Sequence, residues 1–291
     1  MAETPKTYTP TFSLGADLEV NRMGFGAMRI TGEGIWGPPK DREEAIRVLQ
    51  RTVELGINFI DTADSYGPNI SEELIAEALY PYPPGLVIGT KGGLLRTGPN
   101  QWPINARPEH LKEALQGSLE RLKLDRIDLY QLHRVDPEIP FEQTLEFLQD
   151  AQEQGLIKHI GLSEVTIDQI QQAQKFVEVV SVQNIYSFDN RKWEAELMYC
   201  EDNAIAFIPW YPLGGGNLKA IETLEQVSQK YEATPHQIAL SWLLHRSPNI
   251  LLIPGTSKVK HLEENYKAAS IPLSEEDYEA LNQVGSDTFT S

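Results

Sequence analysis

The stretch GINFIDTADSYG (56–67) contains a short apolar run, INFI (57–60), which gives way to polar residues at Asp61. Comparable apolar runs recur along the chain, at 23–28, 86–89, 127–130, 157–162, 179–182, 204–208 and 249–253. Most of these runs are continuously apolar rather than alternating, which is typical of parallel strands buried on both faces. The repeated pattern therefore predicts eight buried parallel strands, each ending in a polar loop.

Helices are predicted between these strands because helix start signals lie there. Asp41 has the spacing of a helix cap, and Pro108 suits the first turn of a helix. The pairs Thr166–Gln169 and Thr234–Gln237 have the pattern of capping boxes. Strands that alternate with helices, without a Pro- or Ser-rich linker, predict a (β/α)8 TIM barrel that residues 1–291 form as one domain.

The segment TFSLGADLEV (11–20) precedes the first predicted barrel strand. It alternates apolar and polar residues around Gly15, Ala16 and Asp17, which predicts a β-hairpin. A hairpin at this point of the chain could cap the barrel floor.

A glycine-rich stretch at 32–37 offers a different fold. Its pattern, G-x-G-x-x-G, follows a predicted strand and resembles the start of a dinucleotide-binding Rossmann unit. In that unit the glycines open the helix, whereas here Pro38 and Pro39 intervene and the helix signal comes at Asp41. We therefore interpret the stretch as a loop over the barrel mouth.

The composition narrows the classes of partner. The chain has 42 acidic and 25 basic residues, so its net charge is −17, which disfavours nucleic acid and anionic membranes as partners. Its single cysteine, Cys200, cannot form an internal disulfide, which indicates a reducing compartment such as the cytoplasm. No signal peptide is expected in MAETPKTYTP (1–10), and no apolar run is long enough for a membrane span. The oligomeric state cannot be read from the sequence, which is compatible with a monomer.

Active-site residues of such barrels come from the carboxyl ends of the strands. Read in order, these positions hold Met28, Asp61, Lys91, His133, Ser163, Gln183, Trp210 and Gly255. No metal-binding cluster is expected among them. Taken together, this ring of mostly polar or aromatic side chains predicts a catalytic centre at the barrel mouth.

Three of these residues, together with Tyr66 in the loop after the second predicted strand, suit the reduction of a carbonyl by hydride. Tyr66 can donate the proton that the developing alkoxide needs, and Lys91 can lower the pKa of that phenol. Asp61 can hold Lys91 in its charged form, and His133 can orient the carbonyl oxygen. Asp61, Tyr66, Lys91 and His133 are therefore the predicted catalytic residues.

The chain resembles the aldo-keto reductases over nearly its whole length. The matching segments, in order, are FIDTADSYG, IGTKGG, YQLHRVDP, GLSEV, SVQNIYS, PWYPLGGG and LLIPGTSKVKHLEENY. The resemblance implies a (β/α)8 barrel that binds NADPH across its mouth and reduces small carbonyl compounds. Other stretches are similar to bacterial members assigned as pyridoxal reductases, so pyridoxal is one candidate substrate.

The same resemblance implies the residues that bind the cofactor. Ser163 and Gln183 should hold the nicotinamide carboxamide, Trp210 should stack on the ring, and Glu264 and Asn265 should hold the adenine. The full predicted set is Gly26, Ala27, Met28, Asp61, Ser163, Gln183, Trp210, Tyr211, Pro212, Leu213, Gly255, Thr256, Ser257, Lys258, Glu264 and Asn265. The predicted substrate pocket consists of Met28, Trp36, Tyr66, Trp102, His133 and Arg134.

The chain departs from the family pattern at several positions. Glu164 stands where an asparagine is usual, and Trp210 where many members have tyrosine. Gly255 replaces a common lysine, so the 2′-phosphate site must rest on 256–258, at the predicted N-terminus of a helix. NADPH is therefore favoured over NADH.

Two other functions remain open from the sequence. Lys91 at a strand end could form a Schiff base, which would make the protein a lyase. Alternatively, the barrel could bind the cofactor as a non-catalytic regulator. The resemblance and the four catalytic groups favour the reductase over both.

Overall fold

The computed structural model describes residues 10–214, 218 and 221–287. Parallel strands follow one another around a barrel in sequence order. The strands are β3 (Phe25–Gly26), β4 (Phe59–Asp61), β5 (Val87–Gly92), β6 (Ile127–Leu132), β7 (Ile157–Ser163), β8 (Val179–Gln183) and β9 (Ala206–Phe207). The segment 1–9, in which no signal peptide is expected, lies outside the described residues.

Residues 249–253, the eighth predicted strand, close the barrel through single bridges. Ile250 bridges to Phe207 on one side, and Leu252 bridges to Met23 on the other. The N–H of Leu252 donates to the carbonyl oxygen of Arg22 at 2.8 Å. The predicted (β/α)8 barrel is therefore confirmed.

Helices lie between the strands and cover the outside of the barrel. They are α1 (Arg42–Glu54), α2 (Ile70–Leu79), α3 (Pro108–Leu122), α4 (Phe141–Glu153), α5 (Ile167–Ala173), α6 (Glu194–Asp202), α7 (Glu222–Lys230), α8 (Pro235–Arg246), α9 (Val259–Lys267) and α10 (Glu275–Asp287). Thr166 and Thr234 form complete capping boxes, and Asp41 accepts from the N–H of Glu44. None of the helices in the described part of the chain is long and apolar enough to cross a membrane.

The hairpin predicted at 11–20 consists of β1 (Thr11–Leu14) and β2 (Leu18–Asn21). Its buried residues Leu14 and Val20 pack among barrel-interior side chains such as Leu129. The hairpin therefore covers the floor of the barrel, as predicted.

Two predicted strands are shorter than expected. Of residues 23–28, only Phe25 and Gly26 form a strand, because the chain turns into a 3-10 helix at Ala27–Ile30. Of residues 204–208, only Ala206 and Phe207 do so. The glycine-rich stretch 32–37 contains a second 3-10 turn, at Glu33–Ile35, well before α1, so its glycines open no α-helix.

Candidate active site

A cavity of about 610 Å³ opens at the carboxyl ends of the barrel strands. The predicted residues that line it are Gly26, Met28, Asp61, Tyr66, Trp102, His133, Arg134, Ser163, Gln183, Trp210, Tyr211, Pro212, Leu213 and Gly255. It is also lined by Arg29, Ile35, Leu94, Asn100, Ile104, Gly214, Ile253 and Pro254, none of which was predicted. The strand-end rule thus located the cavity, but not the loop residues that complete its walls.

Lys91 connects two of the other predicted catalytic residues on the cavity floor. Its Nζ donates to Asp61 Oδ2 at 2.6 Å and to the Tyr66 hydroxyl at 3.3 Å. A third bond, of 2.8 Å, runs to the carbonyl oxygen of Thr62. Lys91 is fully buried and Asp61 nearly so, and the parallel pairing of β4 with β5 brings them together. The arrangement is a charged pair with a phenol attached to its cationic end.

Burial sets the protonation of the phenol. It raises the pKa of Tyr66 above its ordinary value, although the positive charge of Lys91 acts in the opposite direction. Lys91 thus acts on the pKa of Tyr66 in the expected direction, but burial, which the sequence does not show, outweighs its effect. Burial by itself would lower the pKa of Lys91, but Asp61 and Tyr66 raise it above the ordinary value. At neutral pH the lysine is charged and the phenol keeps its proton.

His133 lies beside the phenol of Tyr66, and its imidazole is neutral. Its ring centre is 5.9 Å from that of Tyr66, edge to face, and its Nδ1 is 3.4 Å from the Ser65 hydroxyl. Burial, together with the charges of Lys91 and Arg134, holds the pKa of His133 well below its ordinary value. A neutral imidazole can donate one hydrogen bond into the cavity without carrying a charge there.

Gln131 is a buried residue of the site that sequence reasoning missed. Its Nε2 donates to Asp61 Oδ1 at 3.0 Å, and Gln183 Nε2 donates to the same oxygen at 2.9 Å. Asp61 therefore accepts from Lys91 on one oxygen and from two amides on the other. The signal in the sequence was a glutamine inside the otherwise apolar half of IDLYQL (127–132).

Glu164 fixes the predicted nicotinamide platform. Its Oε1 accepts from Trp210 Nε1 at 2.7 Å and from the Ile185 N–H at 2.6 Å. The neighbouring Ser163 hydroxyl donates to the carbonyl oxygen of Gln183 at 2.8 Å. A carboxylate in the position of the usual asparagine thus holds the indole from its edge.

Two glycines allow the backbone of β3 to approach residues 249–255 closely. A Cβ on Gly26 would lie 2.5 Å from the Ile253 carbonyl oxygen, and one on Gly255 would lie 2.7 Å from the Gly26 carbonyl oxygen. Larger residues would push the two segments apart. Both glycines line the cavity, so they present backbone to a bound molecule there.

The predicted residues that lie outside the cavity lining are Ala27, Trp36, Lys91, Thr256, Ser257, Lys258, Glu264 and Asn265. Ala27 is fully buried in the core, and Trp36 is 37% exposed. Trp36 faces the guanidinium of Arg96, whose Cζ is 5.6 Å from its ring centre. The structure therefore does not place Trp36 in the lining of the predicted substrate pocket.

The N-terminus of α9 carries the residues predicted for the 2′-phosphate. Lys258 is the residue before the helix, and its own N–H donates to Thr256 Oγ1 at 3.1 Å. The N–H of Val259 donates to Glu44 Oε1 at 3.1 Å, which places a carboxylate beside the expected anion site. The side chains of Ser257 and Lys258 are exposed.

The chemistry of the floor and rim fits a nicotinamide dinucleotide. Trp210 offers an aromatic surface, and Ser163 and Gln183 add polar groups on the floor. Arg29 is exposed at the rim and has no side-chain hydrogen bond within the described part of the chain. A flat ring joined to phosphates needs these three kinds of group.

Two relatives match the chain over most of its length. An uncharacterised oxidoreductase of Schizosaccharomyces pombe is 55% identical over 270 residues, 92% of this chain and 88% of the relative. The pyridoxine 4-dehydrogenase of Escherichia coli is 44% identical over 280 residues, 94% of this chain and 98% of that enzyme.

Solved structures share the fold. The thermostable aldo-keto reductase Tm1743, in complex with the inhibitor epalrestat, has a TM-score of 0.83 and 33% identity, covering 95% of this chain and all of that one. An aldo-keto reductase of Klebsiella pneumoniae in complex with NADPH has a TM-score of 0.80 at 23% identity, and the match covers 96% of this chain and 95% of that one. The model of the Aldo/keto reductase family matches residues 22–286. On these matches, the chain belongs to the aldo/keto reductase family of oxidoreductases.

Proposed function

We propose that this protein reduces an aldehyde or ketone to the alcohol with NADPH, and that Tyr66 donates the proton. The observation that carries the proposal is the contact of Lys91 with both Asp61 and the Tyr66 hydroxyl on the floor of the cavity. The phenol is protonated at neutral pH and borders the space where a substrate would enter. A protonated donor beside a fixed ammonium is what carbonyl reduction needs.

The roles of Tyr66 and His133 follow from the charge that develops on the carbonyl oxygen. NADPH, when bound, would supply the hydride. His133 is neutral and donates a hydrogen bond that orients the carbonyl oxygen, and Tyr66 transfers its proton to that oxygen. The two rings meet edge to face at 5.9 Å, so one oxygen can contact both groups.

Lys91 and Asp61 stabilise the phenolate that Tyr66 becomes. The ammonium of Lys91 faces the hydroxyl at 3.3 Å, so it stabilises the negative charge that remains after proton transfer. Asp61 keeps Lys91 charged, and the amides of Gln131 and Gln183 fix the second oxygen of Asp61. The group next to the phenol therefore stays in place during the reaction.

The cofactor would lie across the rim of the cavity. Ser163 and Gln183 would contact the carboxamide, and Trp210 would stack on the nicotinamide ring. The phosphates would pass along 211–213 toward Gly255 and Lys258, at the start of α9. These contacts stay predictions, supported by the lining of the cavity and by a family relative crystallised with NADPH.

The proposed substrate is a flat aldehyde, with pyridoxal as the leading candidate. Trp102 packs edge to face on Tyr66 at 6.4 Å and gives the pocket an aromatic wall. The relationship to the pyridoxine 4-dehydrogenase of E. coli, at 44% identity, supports the same choice. Since the catalytic groups serve both directions, oxidation of the corresponding alcohol belongs to the same proposal.

The proposed reaction requires only a small carbonyl compound and the cofactor as partners. Cys200 is buried, which raises the pKa of its thiol to about 12 and makes it unreactive. A single buried thiol supports a reducing location such as the cytoplasm. We infer that a monomer is sufficient, because all four catalytic groups come from one chain.

The two alternative functions receive less support. A Schiff base would need Lys91 as an uncharged nucleophile, but its Nζ makes three hydrogen bonds and its pKa is raised. A non-catalytic regulator would have no need for Lys91 bonded beneath a cavity floor that carries Asp61, Tyr66 and His133.

The test is a panel of aldehydes and ketones, pyridoxal included, followed by loss of NADPH absorbance. Tyr66→Phe should lose about 10²- to 10⁴-fold in kcat and keep its affinity for NADPH. A Phe variant with near-normal kcat would falsify the role of Tyr66. Slow single-turnover oxidation of NADPH by the wild type would indicate the regulator, and borohydride trapping of a carbonyl on Lys91 would indicate the lyase.

A further inference from the structure

Arg134 presents unpaired hydrogen-bond donors to the cavity. It follows His133 in the loop after β6, and its Nη1 donates to the His133 carbonyl oxygen at 2.5 Å and to Ser163 Oγ at 3.0 Å. Within the ranges that the structure describes, its Nε and Nη2 have no hydrogen-bond partner. Arg134 lines the cavity, so these donors are available to a bound molecule.

The two neighbouring carboxylates are engaged elsewhere. Asp61 is held by Lys91 and by two glutamine amides. Glu164 accepts from Trp210 and from a backbone N–H, and it forms no ion pair with Arg134 within 4.0 Å. The Nε and Nη2 groups of Arg134 are not among the buried atoms without a partner in the described residues, so they face the solvent of the cavity when no ligand is bound. An anionic acceptor that enters the cavity would replace this solvent with a charge-assisted hydrogen bond.

The position of Arg134 determines which part of a substrate it could contact. It is adjacent in sequence to His133, and its Cζ lies 5.7 Å from the ring centre of Trp210. It therefore borders the space between the proposed hydride donor and the proposed carbonyl-binding group. The chain as a whole carries a net charge of −17, so any attraction for an anion at this point is local.

We propose that Arg134 selects aldehydes and ketones with an anionic group next to the carbonyl group. In an aromatic substrate, that group would be attached to the ring atom adjacent to the one that bears the carbonyl. A carboxylate or a phenolate at this position would accept from the free edge of the guanidinium, whose planar fork suits two parallel hydrogen bonds. Pyridoxal, with a phenolic oxygen adjacent to its aldehyde, has this arrangement. The inference rests on the proposed function, since it assumes that the carbonyl oxygen lies at Tyr66 and His133.

The test compares substrates that differ only in the position of the charge. The quantity measured is the ratio of kcat/KM for 2-carboxybenzaldehyde to that for 4-carboxybenzaldehyde. The wild type should favour the 2-isomer, and Arg134→Gln should lower the ratio about 10- to 100-fold, the range expected for one charged hydrogen bond. Arg134→Lys keeps the charge without the fork, so its ratio should fall between the two. The corresponding pair of hydroxybenzaldehydes distinguishes phenolate from carboxylate recognition.

Two results would overturn the inference. One is an unchanged ratio in Arg134→Gln with both isomers slowed equally, which would make Arg134 a support for His133 and Ser163. The other is equal use of the two isomers by the wild type. Failure of the Arg134 inference can be distinguished from failure of the proposed function by a binding experiment. Binding of 2-carboxybenzaldehyde is measured in the absence of NADPH, with tryptophan fluorescence as the signal. Binding that depends on Arg134 without any reduction would retain the inference and remove the proposed reaction.

Discussion

The indole Nε1 of Trp210 donates a 2.7 Å hydrogen bond to Oε1 of Glu164, which joins two positions at which the chain departs from the family pattern. Glu164 has a left-handed backbone conformation (φ +54°), which is unusual for a residue of its size. Its Oε1 also accepts from the Ile185 N–H, so the loops that follow β7, β8 and β9 meet at one atom. The two departures are therefore physically coupled, because the larger ring is held by the carboxylate.

The first prediction concerns this pair. Glu164→Ala should free the indole ring and weaken NADPH binding about 10-fold, since the indole loses its hydrogen bond to the carboxylate and the Ile185 N–H loses the same acceptor. Glu164→Gln keeps an acceptor oxygen and should remain close to wild type. NADPH titration by quenching of tryptophan fluorescence measures both variants, and Trp210→Ala should remove much of the quench. Glu178→Ala, at the opposite end of β8, is the matched control, and an equal effect of that change would contradict the local role of Glu164.

The second prediction concerns Arg96, which orders the aromatic wall of the pocket. Its guanidinium donates to backbone carbonyl oxygens of three loops, among them those of Ile35 at 2.6 Å and Ser65 at 2.9 Å. Its Cζ also lies 3.6 Å from the ring centre of Trp102. Arg96→Ala should raise KM for aromatic aldehydes about 10-fold and change kcat much less, because the wall loosens while the catalytic groups stay.

Steady-state kinetics with benzaldehyde measures the split between KM and kcat for Arg96→Ala. Arg126→Ala, an exposed arginine before β6 at the other end of the barrel, is the control for loss of a positive charge. A fall in kcat with unchanged KM would indicate that Arg96 positions Tyr66 and does not order the aromatic wall.

The third prediction is a pH dependence of stability. Burial, followed by the negative charge of Glu72, raises the pKa of Asp64 to about 8 from its ordinary value of 3.8. At a pH between these two pKa values, the Asp64 carboxyl is ionised in the unfolded chain but keeps its proton in the folded protein. The stabilisation due to the protonated carboxyl is therefore full below about pH 4 and is lost as the pH rises to about 8.

Asp64→Asn should remove this contribution, because an amide does not titrate. The free energy of unfolding, measured with denaturant at about pH 5 and about pH 8, should fall more steeply for the wild type than for the variant. Other titrating groups are common to both proteins and cancel in the comparison. Parallel pH profiles for the two proteins would show that Asp64 is ionised in the folded state.

The proximity of the proposed catalytic residues was predictable because strand ends of a parallel barrel meet at one edge. Asp61 and Lys91 each follow a buried apolar run, and that position alone brought them together in the structure. Gln131 was missed because it lies inside a strand, where periodicity favours an apolar residue. The lowering effect of Lys91 on the pKa of Tyr66 could be predicted because the lysine is visible in the sequence, whereas the burial that outweighs this effect is not.

Contacts between distant segments could not be predicted either. Arg96 donates to the carbonyl oxygen of Ile35, which is 61 positions away in the chain, and to that of Ser65, which is 31 positions away. Glu44 reaches the N–H of Val259 across 215 positions. No local pattern marks such partners, since they depend on how the loops pack at the barrel mouth.

The last prediction concerns the choice between NADPH and NADH at the start of α9. Lys258 is exposed there and could contact the 2′-phosphate that NADH lacks, but Glu44 occupies the N–H of Val259 beside it. Lys258→Ala should weaken NADPH by roughly 10- to 100-fold and leave NADH almost unchanged, so the two dissociation constants should converge. Glu44→Gln should act in the opposite direction and tighten NADPH, because a negative charge near the phosphate is removed. High salt should mimic Lys258→Ala for NADPH alone, since the site is exposed.

Lys267→Ala, in the last turn of the same helix, is the control, and both dissociation constants should stay at their wild-type values. If Lys258→Ala weakens both cofactors equally, the discriminating contact lies elsewhere on α9, with Lys260 or His261 as the next residue to change.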